Sequence, residues 1–192
     1  NVESVDDVVP LLFPHSLYKS YAPQLMEQLR FDEMTRWVSR LTVCDLSPLL
    51  GETFESIDGW LDAMDSRTDL LLLLSSGTTG GLSLVPRARA DHEAHGRHIG
   101  MVAARFRARA PNGNLQVIWP AYARGKQAAL RSVDHIITHI AGDPERFHPL
   151  IDAEMSADIQ FYTARSADRM MKGITVACSS GEAASPALAT LP

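Results

Sequence analysis

The chain has 192 residues, is 45% hydrophobic and carries a formal net charge of −5, enough for one sizeable domain with its own core and too acidic for bulk attraction to nucleic acid or an anionic membrane. Its longest aliphatic run is five leucines, far short of the roughly 20 apolar residues that span a bilayer, and residues 1–7 lack the basic and apolar regions of a secretion signal. Cys44 and Cys178 stand far apart with no C-x-x-C spacing, which fits a reducing, cytoplasmic setting and offers no metal framework.

In chain order, Pro10 and Pro14 keep the first fifteen residues extended. A short helix is expected from an N-cap at Ser16, stopped by Pro23, where a second begins. Met34, Trp37, Val38 and Leu41 fall at i, i+3, i+4 and i+7, the stripe of an amphipathic helix with acidic residues in its first turn, which makes Trp37 a core residue. Ser56 is placed to cap another helix, in which Ile57, Trp60, Leu61 and Met64 repeat the spacing. Residues 1–66 therefore read as a helical region covering a sheet that starts at Leu70, and residues 67–192 as α/β.

The leucine run reads as a buried strand opening into a loop. Asp91 then caps a helix to about Ala110, with Ile99, Val102, Ala103 and Phe106 as its buried stripe. Asn112-Gly113-Asn114 is a turn, residues 115–119 form the next strand, closed by Pro120, and a helix runs from about Lys126 to Ile140. Beyond Asp143-Pro144, the spacing of Ile151, Met155, Ile159 and Tyr162 predicts one more helix, continuing or restarting toward Gly173. Alternating strand and helix argues for a mostly parallel α/β sheet under a helical N-terminal layer.

The loop after the leucines carries the clearest chemical signal. In Ser75-Ser76-Gly77-Thr78-Thr79-Gly80-Gly81, four hydroxyls are interleaved with three glycines, so backbone N–H groups can turn inward while side-chain donors join them, as phosphate requires. Neither G-x-x-x-x-G-K-[ST] nor G-x-G-x-x-G is present. This order after a hydrophobic strand, followed by Leu82-Ser83-Leu84-Val85-Pro86-Arg87, resembles the phosphate loop of the adenylate-forming (AMP-binding) enzymes. Its wording is closest to the fatty-acid and phenylacetate CoA ligase and acyl-protein synthetase branches. That family's loop usually continues Gly-x-Pro-Lys-Gly; here Ser83 stands in the lysine's place, and Ser83 or Arg87 is the candidate replacement, a guanidinium being well suited to phosphate.

The resemblance implies part of the family's large domain, incomplete and at the front of a longer protein, and inactive alone. It implies ATP with Mg2+, a small carboxylic acid substrate activated as an acyl-adenylate, and transfer of the acyl group to CoA or an acceptor protein. The phosphates would be held by Ser75, Ser76, Gly77, Thr78, Thr79, Gly80, Gly81, Ser83 and Arg87. A second likeness lies in Trp119-Pro120-Ala121-Tyr122-Ala123-Arg124-Gly125, at the distance where the family places its next landmark. It lacks the family's His and is one residue short, so only Tyr122 and Gly125 are carried over, as walls of an acyl pocket. The metal ligands, the ribose-binding aspartate and the catalytic lysine find no counterpart. A non-catalytic nucleotide- or phosphate-binding module and a purely structural turn remain the competing readings.

His92, His95 and His98 repeat every third residue, which spreads them around a helix rather than pairing them for a metal, so no metal site is assigned. His135, His139 and His148 read as surface or hydrogen-bonded core residues. Arg97, Arg105, Arg107 and Arg109 lack the interleaved aromatics of a nucleic-acid groove and read as a solvated helix face.

Overall fold

A computed structural model describes residue 4 and residues 14–75, 82–107 and 115–179, with the backbone alone at 106–107 and 174–179. The start of the chain is helical, as expected, but its first turn, His15–Lys19, is a 3-10 helix with Ser16 inside it rather than capping it. Too few residues precede Pro23 for an α-helical nucleus to be repaid. Helix α1 (Pro23–Glu27) opens on that proline, whose missing N–H is an orphan at N1 in any case. Helix α2 (Phe31–Ser39) buries Phe31, Met34, Thr35 and Val38. Trp37 packs partly buried against the core, edge-on to Tyr21 and bonded to Ser20 Oγ at 3.2 Å. Helix α3 (Ile57–Arg67) starts as the sequence predicts, with Ser56 Oγ accepting from Gly59 N at 3.0 Å, and buries all four expected apolar residues.

Strand β1 (Leu70–Leu74) is wholly buried, and its partner is a surprise: the loop returns into β2 (Leu84–Ala88), antiparallel, with Leu74 opposite Leu84 and Leu70 opposite Ala88. Pro86 hides β2 in the sequence, because proline cannot donate to a ladder, yet an edge strand tolerates it. Alternate residues face opposite sides. Leu70, Leu72, Leu74 and Leu84 therefore join Phe31, Met34, Trp60 and Phe161 in the main core, while Leu71 and Leu73 are buried on the other face, against α4 and α5. Each fully buried leucine contributes about 1.5–3 kcal/mol relative to exposure.

Helix α4 (Arg89–Arg107) follows β2 at once, so Asp91 lies in its first turn rather than at its cap. Of the expected stripe, Ala103 is buried and Val102 is exposed; Phe106 lies outside the described side chains. The turn at Asn112-Gly113-Asn114 also lies outside the described residues. Strand β3 (Val117–Gly125) runs straight through Pro120, and the ladder slips register between Trp119 and Tyr122, where that proline has no N–H to give. Its parallel partner is β4 (Phe147–Met155), with Val117 opposite Phe147 and Gly125 opposite Met155. The crossover between them is helical but not one helix. It comprises α5 (Ala128–Arg131), a break at Ser132, α6 (Val133–Ile136) and a π-turn at Ile137–Ala141.

Strand β4 overturns the helix expected over Ile151 and Met155. Their spacing of four suits a helix, but Pro149 bars a helix through its own position and β3 offers a ladder. The helix begins only at α7 (Ala157–Ser179), where Phe161 and Ala164, rather than Ile159 and Tyr162, enter the core. Leu74 N donates to Lys126 O at 2.9 Å, tying the hairpin to the end of β3. The protein is thus mixed α/β. Among the described residues its strands form one antiparallel and one parallel pair rather than a mostly parallel sheet. No described helix is long and apolar enough to cross a membrane.

Candidate functional site

The hairpin fixes where the loop leaves and returns. Ser75 N donates to Ser83 O at 3.1 Å and Ser83 N donates to Ser75 Oγ at 2.7 Å, closing a neck beyond the last ladder pair, Leu74 and Leu84. Two remote side chains hold that neck from outside. Gln160, buried in the first turn of α7, donates through Nε2 to Ser75 O at 2.5 Å. Tyr21, buried before α1, donates through its hydroxyl to Leu82 O at 3.0 Å. Burial pushes the Tyr21 phenol up to about 12, with Arg165 pulling the other way, so it remains a donor.

The neck is tied to the N-termini of α3 and α7 as well. Asp158, in the first turn of α7, accepts from Ile57 N and Asp58 N, both at 3.0 Å. Asp58, in the first turn of α3, accepts from Ala157 N at 2.7 Å and Ser156 Oγ at 2.5 Å. Each helix start thus carries the carboxylate that satisfies the other's orphan amides. Arg165 pairs with Glu27 at 2.9 Å and holds α7 on α1.

Of the residues proposed for phosphate, Ser75 and Ser83 are brought together at the neck, while Ser76, Gly77, Thr78, Thr79, Gly80 and Gly81 lie outside the described residues. Arg87 sits three residues down β2 from Leu84, opposite Leu71, roughly 10 Å from the neck at about 3.4 Å per residue. It is close enough to His92 for its charge to act on that ring.

Tyr122 and Gly125 lie on β3, and Gly125 immediately precedes Lys126, whose carbonyl accepts from Leu74 N at 2.9 Å beside the neck. Trp119 Nε1 donates to Tyr122 O at 3.0 Å across the register slip. Gly125 is needed where it stands: its φ is +154°, and a Cβ there would lie 2.8 Å from Leu130 Cδ1 and 3.1 Å from Met155 Cβ. It borders a cavity of about 280 Å³ with Arg89, His92, Arg124, Lys126 and Arg131. The cations there are largely spoken for. Arg131 grips Asp65 with two bonds of 2.6 and 2.9 Å, and Lys126 bonds Asp62 and, at 3.1 Å, Asp65. Burial pulls the Lys126 ammonium down, but the two carboxylates outweigh it and leave its pKa raised. A larger cavity, about 640 Å³, lies at the opposite end of the hairpin from the neck, against Asp45, Asp65, Asp69 and Arg89.

The histidines divide. His95 and His98 are exposed, whereas His92 turns inward, with Nε2 3.1 Å from Arg131 O and its ring 4.8 Å from that of His135. His92 is thus a core residue bonded through one ring nitrogen, its buried Nδ1 having no hydrogen-bond partner among the described residues, and His135, expected as a surface or hydrogen-bonded core residue, likewise leaves a buried Nε2 without one. Burial holds His92 below the usual histidine range, helped by His135, Arg87 and Arg131 against the bond to Arg131 O. The enabling signal was Gly96, whose absent side chain makes room for the His135 ring. Nothing in the sequence marks Gln160 or Tyr21, which act on residues 85 and 61 positions away.

Compared with protein-family models, with curated proteins and with solved structures, the chain matches none.

Proposed function

We propose that this chain carries the phosphate-binding part of an enzyme that activates a carboxylic acid with ATP. A carboxylate oxygen attacks the α-phosphorus, pyrophosphate leaves, and the acyl-adenylate then passes its acyl group to CoA or an acceptor protein with release of AMP. The supporting observation is the pairing of the Ser-Ser-Gly-Thr-Thr-Gly-Gly sequence with a hairpin neck closed by two Ser75–Ser83 bonds and held from outside by Gln160 and Tyr21. A loop that must meet pyrophosphate as its charge develops is effective when its donors are preorganised, and a fixed neck limits where those donors can go.

In this reading Ser76, Thr78 and Thr79 supply hydroxyl donors and Gly77, Gly80 and Gly81 let the backbone approach the β- and γ-phosphates. Ser75 and Ser83 shape the entrance, and Arg87 or Ser83 answers the missing lysine. Mg2+ would arrive with the nucleotide. Among the described residues no three His, Cys, Asp or Glu side chains gather to hold a metal. Tyr122 and Gly125 are proposed on the acyl side. The place of the lysine, taken by Ser83, also supports a second reading, a nucleotide-binding module without ligase chemistry.

The test is carboxylate-dependent exchange of labelled pyrophosphate into ATP by the full-length protein, beside a Thr78→Val, Thr79→Val variant. Losing a hydrogen bond to a charged group costs about 1.5–3 kcal/mol, so exchange should fall tenfold or more in the variant. ATP binding without exchange would favour the second reading, and equal exchange in both proteins would remove the loop from the chemistry.

A further inference from the structure

We infer that the cavity bordered by Arg89, His92, Arg124, Lys126 and Arg131 binds a small oxyanion, a phosphate-like group or a carboxylate, taken up together with a proton. No residue of the Ser76–Gly81 segment enters it, so the site stands apart from the reading of the loop. What carries the inference is a group of buried nitrogens without partners. Arg131 spends its terminal nitrogens on Asp65, at 2.6 and 2.9 Å, which fixes the guanidinium plane, while its buried Nε–H has no partner among the described residues. An arginine Nε only donates, so an acceptor is wanted there. His92, 9% exposed, faces the Arg131 carbonyl with Nε2 at 3.1 Å. That oxygen can only accept, so Nε2 carries the proton, and Nδ1 is left buried and unpartnered among the described residues. His135, its ring 4.8 Å from that of His92 and seated over Gly96, repeats the pattern at Nε2.

Charge decides the class of ligand. A neutral His92 offers Nδ1 as an acceptor, whereas the imidazolium offers it as a donor. Burial, with His135 on α6, Arg87 on β2 and Arg131 on α5 around the ring, holds its pKa below the usual histidine range, because one more positive charge there lacks a counter-charge. An anion supplies it: it accepts from Arg131 Nε–H and from a protonated His92, and its binding brings the proton in. The same charges repel a metal cation. Arg89, bonded to the Asp65 carbonyl, and Arg124, exposed at the rim, add to the positive field, while Lys126 is held by Asp62 and Asp65. Asp134 and Glu154 also border the cavity, but both are exposed, where water and salt screen their repulsion. Its volume of about 280 Å³ is several times the roughly 30 Å³ that a water takes up in the liquid, enough for a tetrahedral oxyanion.

The probes are sulfate and formate, neither of which changes charge between pH 5.5 and 8, titrated into the full-length protein and read by calorimetry and by the ring resonances of labelled histidines. Wild type should bind at least one of them saturably, and about tenfold or more tightly at pH 5.5 than at pH 8. Preference for sulfate identifies a phosphate-like ligand, and preference for formate a carboxylate. Saturating anion should raise the pKa of His92 by about 1 and leave exposed His95 and His98 unmoved. His92→Gln keeps a donor for the Arg131 carbonyl but cannot titrate, so it should bind more weakly at pH 5.5 and lose the pH dependence to within about twofold. The ring titration needs wild type alone and decides the matter even if the variant fails to fold. No saturable binding of either anion, binding as tight at pH 8 as at pH 5.5, or a His92 pKa that the anion leaves unchanged would overturn the inference.

Discussion

Removing the carboxylate of Asp158 should destabilise the protein by about 2 kcal/mol, and the structure supplies the terms. Asp158→Ala deletes two bonds to backbone amides at the start of α3, Ile57 N and Asp58 N, both at 3.0 Å. Ile57 is 0% exposed, so water is poorly placed to replace its partner, and a buried donor left unmet costs about 1–3 kcal/mol. Loss of an N-cap alone costs about 0.5–2 kcal/mol, and loss of negative charge at a helix start about 0.3–1 kcal/mol. These overlap rather than add, giving about 2 kcal/mol, or a melting temperature lower by about 4–8 °C for a chain of this size. Asp58→Ala should cost a similar amount, because Ala157, whose N–H it holds, is also 0% exposed. The double variant should lose more than the sum of the two, since each single variant also relieves the repulsion between the carboxylates, which the double variant relieves only once. The assay is urea unfolding, with the midpoint moving at constant m. A shift of under 0.5 kcal/mol in Asp158→Ala would show that the caps do not hold α3 and α7 together.

Stability should also fall in acid through His92. Its folded pKa lies below the ordinary value of 6.5, so the unfolded chain takes up a proton first, and stability is lost as pH drops from about 6.5 toward the folded pKa and then levels off. The groups facing that ring, Arg87, Arg131 and His135, oppose a second charge. In His92→Gln the urea midpoint should change less between pH 7.5 and 5.5 than in wild type, and parallel curves would reject the assignment. Arg87→Ala should weaken ATP-dependent turnover if Arg87 serves the phosphates, and Ser83→Lys, at the neck itself, should restore part of it. Unchanged turnover in Arg87→Ala would return that residue to the His92 face alone.

What could be read from the sequence follows from how local each signal is. The helix at Ile57 was legible because its cap and its stripe lie within nine residues of one another, and the burial of Ile57, Trp60, Leu61 and Met64 matches it. β2 was not legible, because Pro86 breaks the local pattern and only pairing with β1 makes Leu84–Ala88 a strand. β4 was misread for the same reason in reverse: Ile151 and Met155 mimic a helical repeat, and a ladder partner thirty residues upstream decided otherwise. For the candidate site, the loop announced itself in seven consecutive residues, while Gln160, Tyr21 and the Asp58–Asp158 exchange are contacts across 60 to 100 positions that no spacing rule encodes.

The most direct test of the central claim is whether the loop amides themselves meet phosphate. ATP titrated into isotopically labelled protein should shift the amide resonances of Gly77, Thr78, Thr79, Gly80 and Gly81 in a saturable way, with pyrophosphate reproducing much of the pattern and the Thr78→Val, Thr79→Val variant weakening it about tenfold or more. Resonances that stay fixed at millimolar ATP, or that move only for residues outside the hairpin, would contradict the account.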